Sequence, residues 1–195
     1  MTQQISPMPE RKLTRDEVIA LKNKRTLVTV FQISWIMVFV CLAVVAIQIR
    51  GTSGPLPALN AIQVIVPLGA TLALLGSVWT AWQSLKAIQA DQRARFFVFW
   101  RYTLVLGGAF ILVMLAVMAF NPYGDLLQYS QIFRVMVVYH ALHALVIGAW
   151  MVQVYRNAAQ GAYGSSDAWG VEAGAKLWYF VVIAWVLFYA VLYVF

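Results

Sequence analysis

The chain has little of what most protein chemistry uses. Its 195 residues include one cysteine, Cys41, and two histidines, His140 and His143, and only 11% are charged. A lone cysteine excludes an intrachain disulfide, and its place inside an apolar run favours packing over reactivity. No CxxC pair, histidine-rich tract or glycine-rich phosphate loop is present. The shortage of charge argues against a soluble domain, in which about a quarter of residues are charged. Acidic residues number 7 against 14 basic ones, a formal net charge of +7. That excess does not point to nucleic acid, because the basic residues sit in short segments between apolar runs and form no stripe.

Hydrophobic residues are abundant, at 63%. Five apolar segments, at about 27–49, 59–85, 97–120, 132–155 and 173–195, are long enough to cross a hydrocarbon core as helices, which takes roughly twenty residues each. Lipid offers no partner for free backbone amides, so each segment is expected to be helical. The expected fold is an all-α integral membrane protein: a polar segment 1–26, then a bundle of five transmembrane helices over 27–195. Thr14 with Glu17 matches a capping box, which starts a helix at Arg15 that runs on into the first span. The apolar run that follows is too long for a cleaved signal peptide and reads as a permanent span.

Arg11, Lys12, Arg15, Lys22, Lys24 and Arg25, then Lys86, Arg93, Arg95, Arg101, Arg156 and Lys176, fall on one side of these spans; Arg50 and Arg134 fall on the other. The bias predicts a cytoplasmic N-terminus and an outer, periplasmic C-terminus. Gly69, Ala73, Ser77 and Ala81 form a row of small residues suited to close helix packing, as do Ala144 and Gly148. Pro67 is expected to kink its span.

His140 and His143 stand in the middle of an apolar span, where ionisable groups are costly and seldom lack a partner or a role. Three readings compete. Metal or haem ligation lacks further ligands, and two histidines one turn apart on one helix cannot reach both faces of a haem. A proton relay lacks a carboxylate near the midplane, since Asp167 and Glu172 fall at the end of a connection. The third reading has neutral histidines hydrogen-bonded to neighbouring helices, through tyrosine hydroxyls, setting the register of the bundle. The residues favour the third. Glu172 reads as a carboxylate near a helix N-terminus at the membrane surface, and Trp169, Trp178 and Tyr179 read as interfacial anchors. Neither a nucleophile–base pair nor paired carboxylates are visible.

The last third resembles subunit III of the haem-copper terminal oxidases, the cytochrome c and quinol oxidases. That family carries His-Gly-Leu-His on one span, then a loop and Gly-Phe-Glu-Ala followed by Trp, His-Phe-Val and Asp leading into the last span. Here the first stands as His140-Ala141-Leu142-His143 and the second as Gly170-Val171-Glu172-Ala173, with Trp178, Phe180, Val181 and Trp185 in place. Five spans are similar to the short bacterial form. Three family positions differ: an intramembrane carboxylate is Trp35, the histidine after the tryptophan is Tyr179, and the following aspartate is Val182. The resemblance implies a non-catalytic subunit without metal or haem of its own, beside a catalytic subunit I that holds haem and copper. It also implies bound phospholipid, with His140, His143, Glu172, Trp178 and Tyr179 as structural and lipid-cleft residues, in a bacterial or archaeal plasma membrane. A chain of this kind serving a nitric oxide reductase, a small transporter and a quinone anchor are the alternatives.

Overall fold

The computed structural model describes residues 14–53, 59–120, 123, 127–165 and 167–194. They form α1 (Arg15–Thr52), α2 (Ala61–Gln89), α3 (Arg93–Phe120), α4 (Leu127–Ala159) and α5 (Trp169–Tyr189), closed by a π-helical turn at Ala190–Val194. No strand occurs among the described residues. All five helices are long and apolar enough to cross a membrane.

The helices run beyond the expected spans. The Thr14 hydroxyl accepts from the Glu17 amide at 3.4 Å while the Glu17 carboxylate accepts from the Thr14 amide at 2.8 Å, so the capping box starts α1 at Arg15. With 38 residues, α1 is about 57 Å long, well over the roughly 30 Å of a hydrocarbon core. Residues 15–26 are therefore the first turns of the same helix, as the capping box predicts. The Asn60 amide donates to the Gln63 side chain at 2.8 Å and helps to start α2, which then continues unbroken through Pro67. Thr71 Oγ1 donates to the Pro67 carbonyl at 2.7 Å and adds a side-chain bond within the turn that follows.

Asp91 adopts a φ of 54° in the tight turn between α2 and α3, a left-handed conformation that aspartate tolerates better than most residues. The turn makes α2 and α3 an antiparallel hairpin. Helix α5 occupies the centre, against α1, α2 and α4, and α3 completes the ring between α2 and α4. Half of the apolar window of α5 is buried, against 17% of that of α1.

The row of small residues on α2 is only partly an interface. Ser77 and Ala81 are buried, Ala73 is half-buried, and Gly69 is exposed with open space where a Cβ would stand. A strict four-residue row drifts about 40° per step around a helix of 3.6 residues per turn. The buried face instead follows Ala70, Leu74, Ser77, Ala81, Ser84 and Ile88. Ala144 is buried as expected, while Gly148 opens onto a groove between α3 and α4.

Candidate functional site: the histidine pair and the head of the last helix

Three and four residues along a helix return to one face, so His140 and His143 both project from α4 towards the bundle. His140 is 0% exposed. Its ring centroid lies 5.2 Å from Trp185 of α5, 5.7 Å from Phe110 of α3 and 6.2 Å from Phe39 of α1. Neither ring nitrogen has a hydrogen-bond partner among the described residues. His143 is half-buried; its Nδ1 bonds the Tyr139 carbonyl of its own helix, which places the proton on that nitrogen. Its ring lies 4.3 Å from Trp35, which in turn stacks on Phe180 at 5.7 Å and 16°.

This corrects the expected hydrogen bonds. Within the described residues the pair joins the helices through ring faces and edges, and no tyrosine hydroxyl reaches it. Phe39, Trp35, Phe180, Trp185 and Phe188 supply a low-polarity box in which aromatic contacts add about 0.5–1.5 kcal/mol each beyond simple burial.

Glu172 sits one turn into α5, whose N-cap position is Ala168. Its carboxylate accepts from Arg25 of α1, at 3.0 Å from Nε and 2.7 Å from a terminal nitrogen, and lies 3.0 Å from Lys176 Nζ. Gln32 Nε2 donates to the Lys176 carbonyl at 2.9 Å and adds a second tie between α1 and α5. Glu172 is thus an interhelical ion-pair residue as well as a charge near a helix N-terminus. Phe180, level with Trp35 and His143, lies about 12 Å further along α5 at 1.5 Å per residue.

Trp178 is 2% exposed, which overturns the interfacial reading. Its indole N–H donates to Ser77 Oγ of α2 at 2.8 Å, and its ring occupies the place where any Cβ on Gly107 of α3 would fall. Trp185 repeats the arrangement two turns on, donating to Thr71 Oγ1 at 2.9 Å. Burying an indole N–H in an apolar layer requires an acceptor, and a small hydroxyl opposite supplies it. Tyr179 faces a groove of about 300 Å³ between α2 and α5, walled by Leu75, Val78, Val182, Ile183 and Val186, and its hydroxyl has no partner among the described residues.

The expected site residues therefore divide. His140, His143 and Glu172 lie along the side of α5 that meets α1 and α4, while Trp178 and Tyr179 face α2. Arg25, Gln32, Thr71 and Ser77 were not singled out for these roles. The indoles had a readable signal: Trp178 and Trp185 are seven residues apart and Thr71 and Ser77 six, two-turn spacings that can match across antiparallel helices. No group of three or more His, Cys, Asp or Glu side chains comes together among the described residues. No protein-family model matches the chain.

Proposed function

We propose that the chain is a non-catalytic, subunit III-like membrane subunit of a respiratory haem-copper oxidase, which reduces oxygen to water and translocates protons. It supports assembly, lipid binding and stable turnover of the catalytic subunit, which carries the haem and copper. The contact of His140 with Trp185, at 5.2 Å, carries the reading. It joins the two motif segments on which the family resemblance rests, although they come from different helices. The Lys/Arg bias supports a cytoplasmic N-terminus in a bacterial or archaeal plasma membrane. Apolar side chains on the outer faces of α1 and α2, such as Met37, Val44, Ile65 and Leu72, are exposed and suit lipid or a partner subunit.

The departures at Trp35, Tyr179 and Val182 favour a second reading, an accessory chain of a nitric oxide reductase. Trp35 fills the space beside His143 with an aromatic ring where the family carries a carboxylate, so proton transfer by that position is not part of the proposal.

Purification of the tagged chain in mild detergent, with partner identification and a redox difference spectrum, tests both readings. Co-purifying oxidase subunits with their haem bands support the first, and nitric oxide reductase subunits support the second. A colourless chain that migrates alone rejects both. In the assembled complex, His143→Leu is expected to weaken assembly or lipid retention and leave the haem spectrum unchanged. A lost haem or copper signal there overturns the structural role.

A further inference from the structure

The outer face of the bundle between α3 and α4 combines a groove with an arginine that has no carboxylate beside it. The groove measures about 340 Å³, and its walls include Leu104, Gly108, Ile111, Gly148, Ala149 and Val152. Glycine has two meanings along it. At Gly107 the ring of Trp178 fills the place of a Cβ, so packing inside the chain requires that glycine. At Gly108 and Gly148 nothing stands within 4 Å of such an atom, so the described chain makes no demand for glycine there. Glycine weakens a helix interior relative to alanine. What small residues do offer is room for the backbone of another helix to come close from outside. A disordered acyl chain packs on any apolar surface and needs no such approach.

Arg101 stands at one end of this groove, one turn of α3 before Leu104 and beside Tyr155, itself one turn of α4 after Val152. The Arg101 Nε donates to the Tyr155 hydroxyl at 2.7 Å, and the guanidinium lies 5.6 Å from the centre of that ring. Arg101 is exposed, and its terminal nitrogens have no partner among the described residues. The adjacent Trp100 rests on Gly174 of α5, two residues past Glu172, which sets Arg101 near the level of the Arg25–Glu172 pair. Two arginines thus stand in one charged layer. Arg25 meets a carboxylate of this chain, whereas Arg101 meets only a phenol. The acids described at this end are engaged elsewhere: Asp91 with Ser165, Asp167 with the Trp169 amide, and Glu172 between Arg25 and Lys176. The free end of a guanidinium fork matches the two oxygens of a carboxylate.

We propose that the α3–α4 groove receives a membrane-spanning helix of a partner subunit, apolar where it crosses Gly108 and Gly148 and carrying an aspartate or glutamate at the level of Arg101. This docking face rests on the accessory-subunit reading and says where such a subunit meets its partner.

The test uses the complex purified in mild detergent through the tagged chain, with a photo-reactive phenylalanine analogue at Leu145 on the groove wall or at Leu72 on the outer face of α2; both positions are exposed. The adduct at Leu145 is expected on an apolar segment of a co-purifying subunit that has an acid at one end, and the adduct at Leu72 is expected to miss that segment. Gly148→Leu is expected to keep the thermal midpoint of the full chain and to lower the partner yield by about tenfold. Arg101→Gln is expected to lower it by a similar factor, and Arg101→Glu to regain it when the partner's acid is exchanged for arginine. Should Gly148→Leu fail to fold, the charge exchange decides by itself. A Leu145 adduct on phospholipid alone, or on a second copy of this chain, overturns the proposal. Full partner yield in both Gly148→Leu and Arg101→Gln also overturns it and leaves the accessory role standing. A chain that purifies without any partner rejects that role and the docking face together.

Discussion

Where α5 meets α2, the indoles of Trp178 and Trp185 donate to Ser77 and Thr71; midway along its contact with α1 and α4, Trp35, Phe39, His140, His143 and Phe180 meet only through rings. Lipid tails are as apolar as leucine, so helices in a membrane gain little from hiding apolar surface from one another. Packing and hydrogen bonds decide which faces meet. The α2 side has directional bonds in its interior, and a shift of one residue would break them. Among the described residues the α1–α4 side has no such bonds at its middle, and its register is tied at the end, by Arg25 and Gln32 reaching Glu172 and Lys176.

The comparison can be broken most severely at Trp185, which serves both sides. Trp185→Ala removes the bond to Thr71 and the contact with His140, and is expected to cost about 3–5 kcal/mol, measured by denaturant titration in mixed micelles. A cost below about 1 kcal/mol would mean that α5 is not the centre of the bundle. Glu172→Gln is expected to cost about 1 kcal/mol or less, because Arg25 is 48% exposed and solvent screens the pair. That loss should shrink as salt is added to the unaltered chain, and cysteines placed on α1 and α5 should cross-link less efficiently. A salt-independent loss would show that the contribution is not an ion pair.

His140→Phe sharpens the contrast. The substitution keeps an aromatic ring and removes two unpartnered nitrogens, so stability should stay within about 1 kcal/mol of the unaltered chain, on the stabilising side. A larger loss would reveal a hydrogen bond at His140. The smallest effect is expected at the turn between α2 and α3. The Ser165 hydroxyl and amide donate to the Asp91 carboxylate at 2.7 and 3.1 Å and hold its pKa below the usual aspartate value. A depressed carboxyl stabilises the fold above its unfolded pKa, and that contribution disappears as pH falls through the folded value. Proteolysis of the connection between α4 and α5 should rise on acidification through that range, and Asp91→Asn should remove the pH dependence. An acid response retained in that variant would place the titrating group elsewhere.

Much of the outline was legible. Long apolar runs marked all five helices, and Thr14 with Glu17 marked the first residue of α1. The contact of His140 with Trp185 followed from no spacing rule. What failed were statements about faces. Trp178 looked interfacial because an amphipathic ring near a helix start suits a headgroup layer, but Ser77 gives its N–H an acceptor inside. Gly69 looked buried because it is small, but the row turns away from α3 and α5. Arg25 gave no sign that Glu172, on the last helix, would be its partner.

The sequence by itself determined the number and helical nature of the segments, since a long apolar run can satisfy its backbone amides only within itself in lipid, whereas the helices extend beyond those runs. Only the tertiary structure decided which residues face one another. Outward-facing and protein-facing side chains are equally apolar here, as exposed Leu72 and buried Leu74 on α2 illustrate. Patterning in the chain therefore cannot separate them, and the choice is made by shape, by the hydroxyls opposite the indoles and by one carboxylate between two cations.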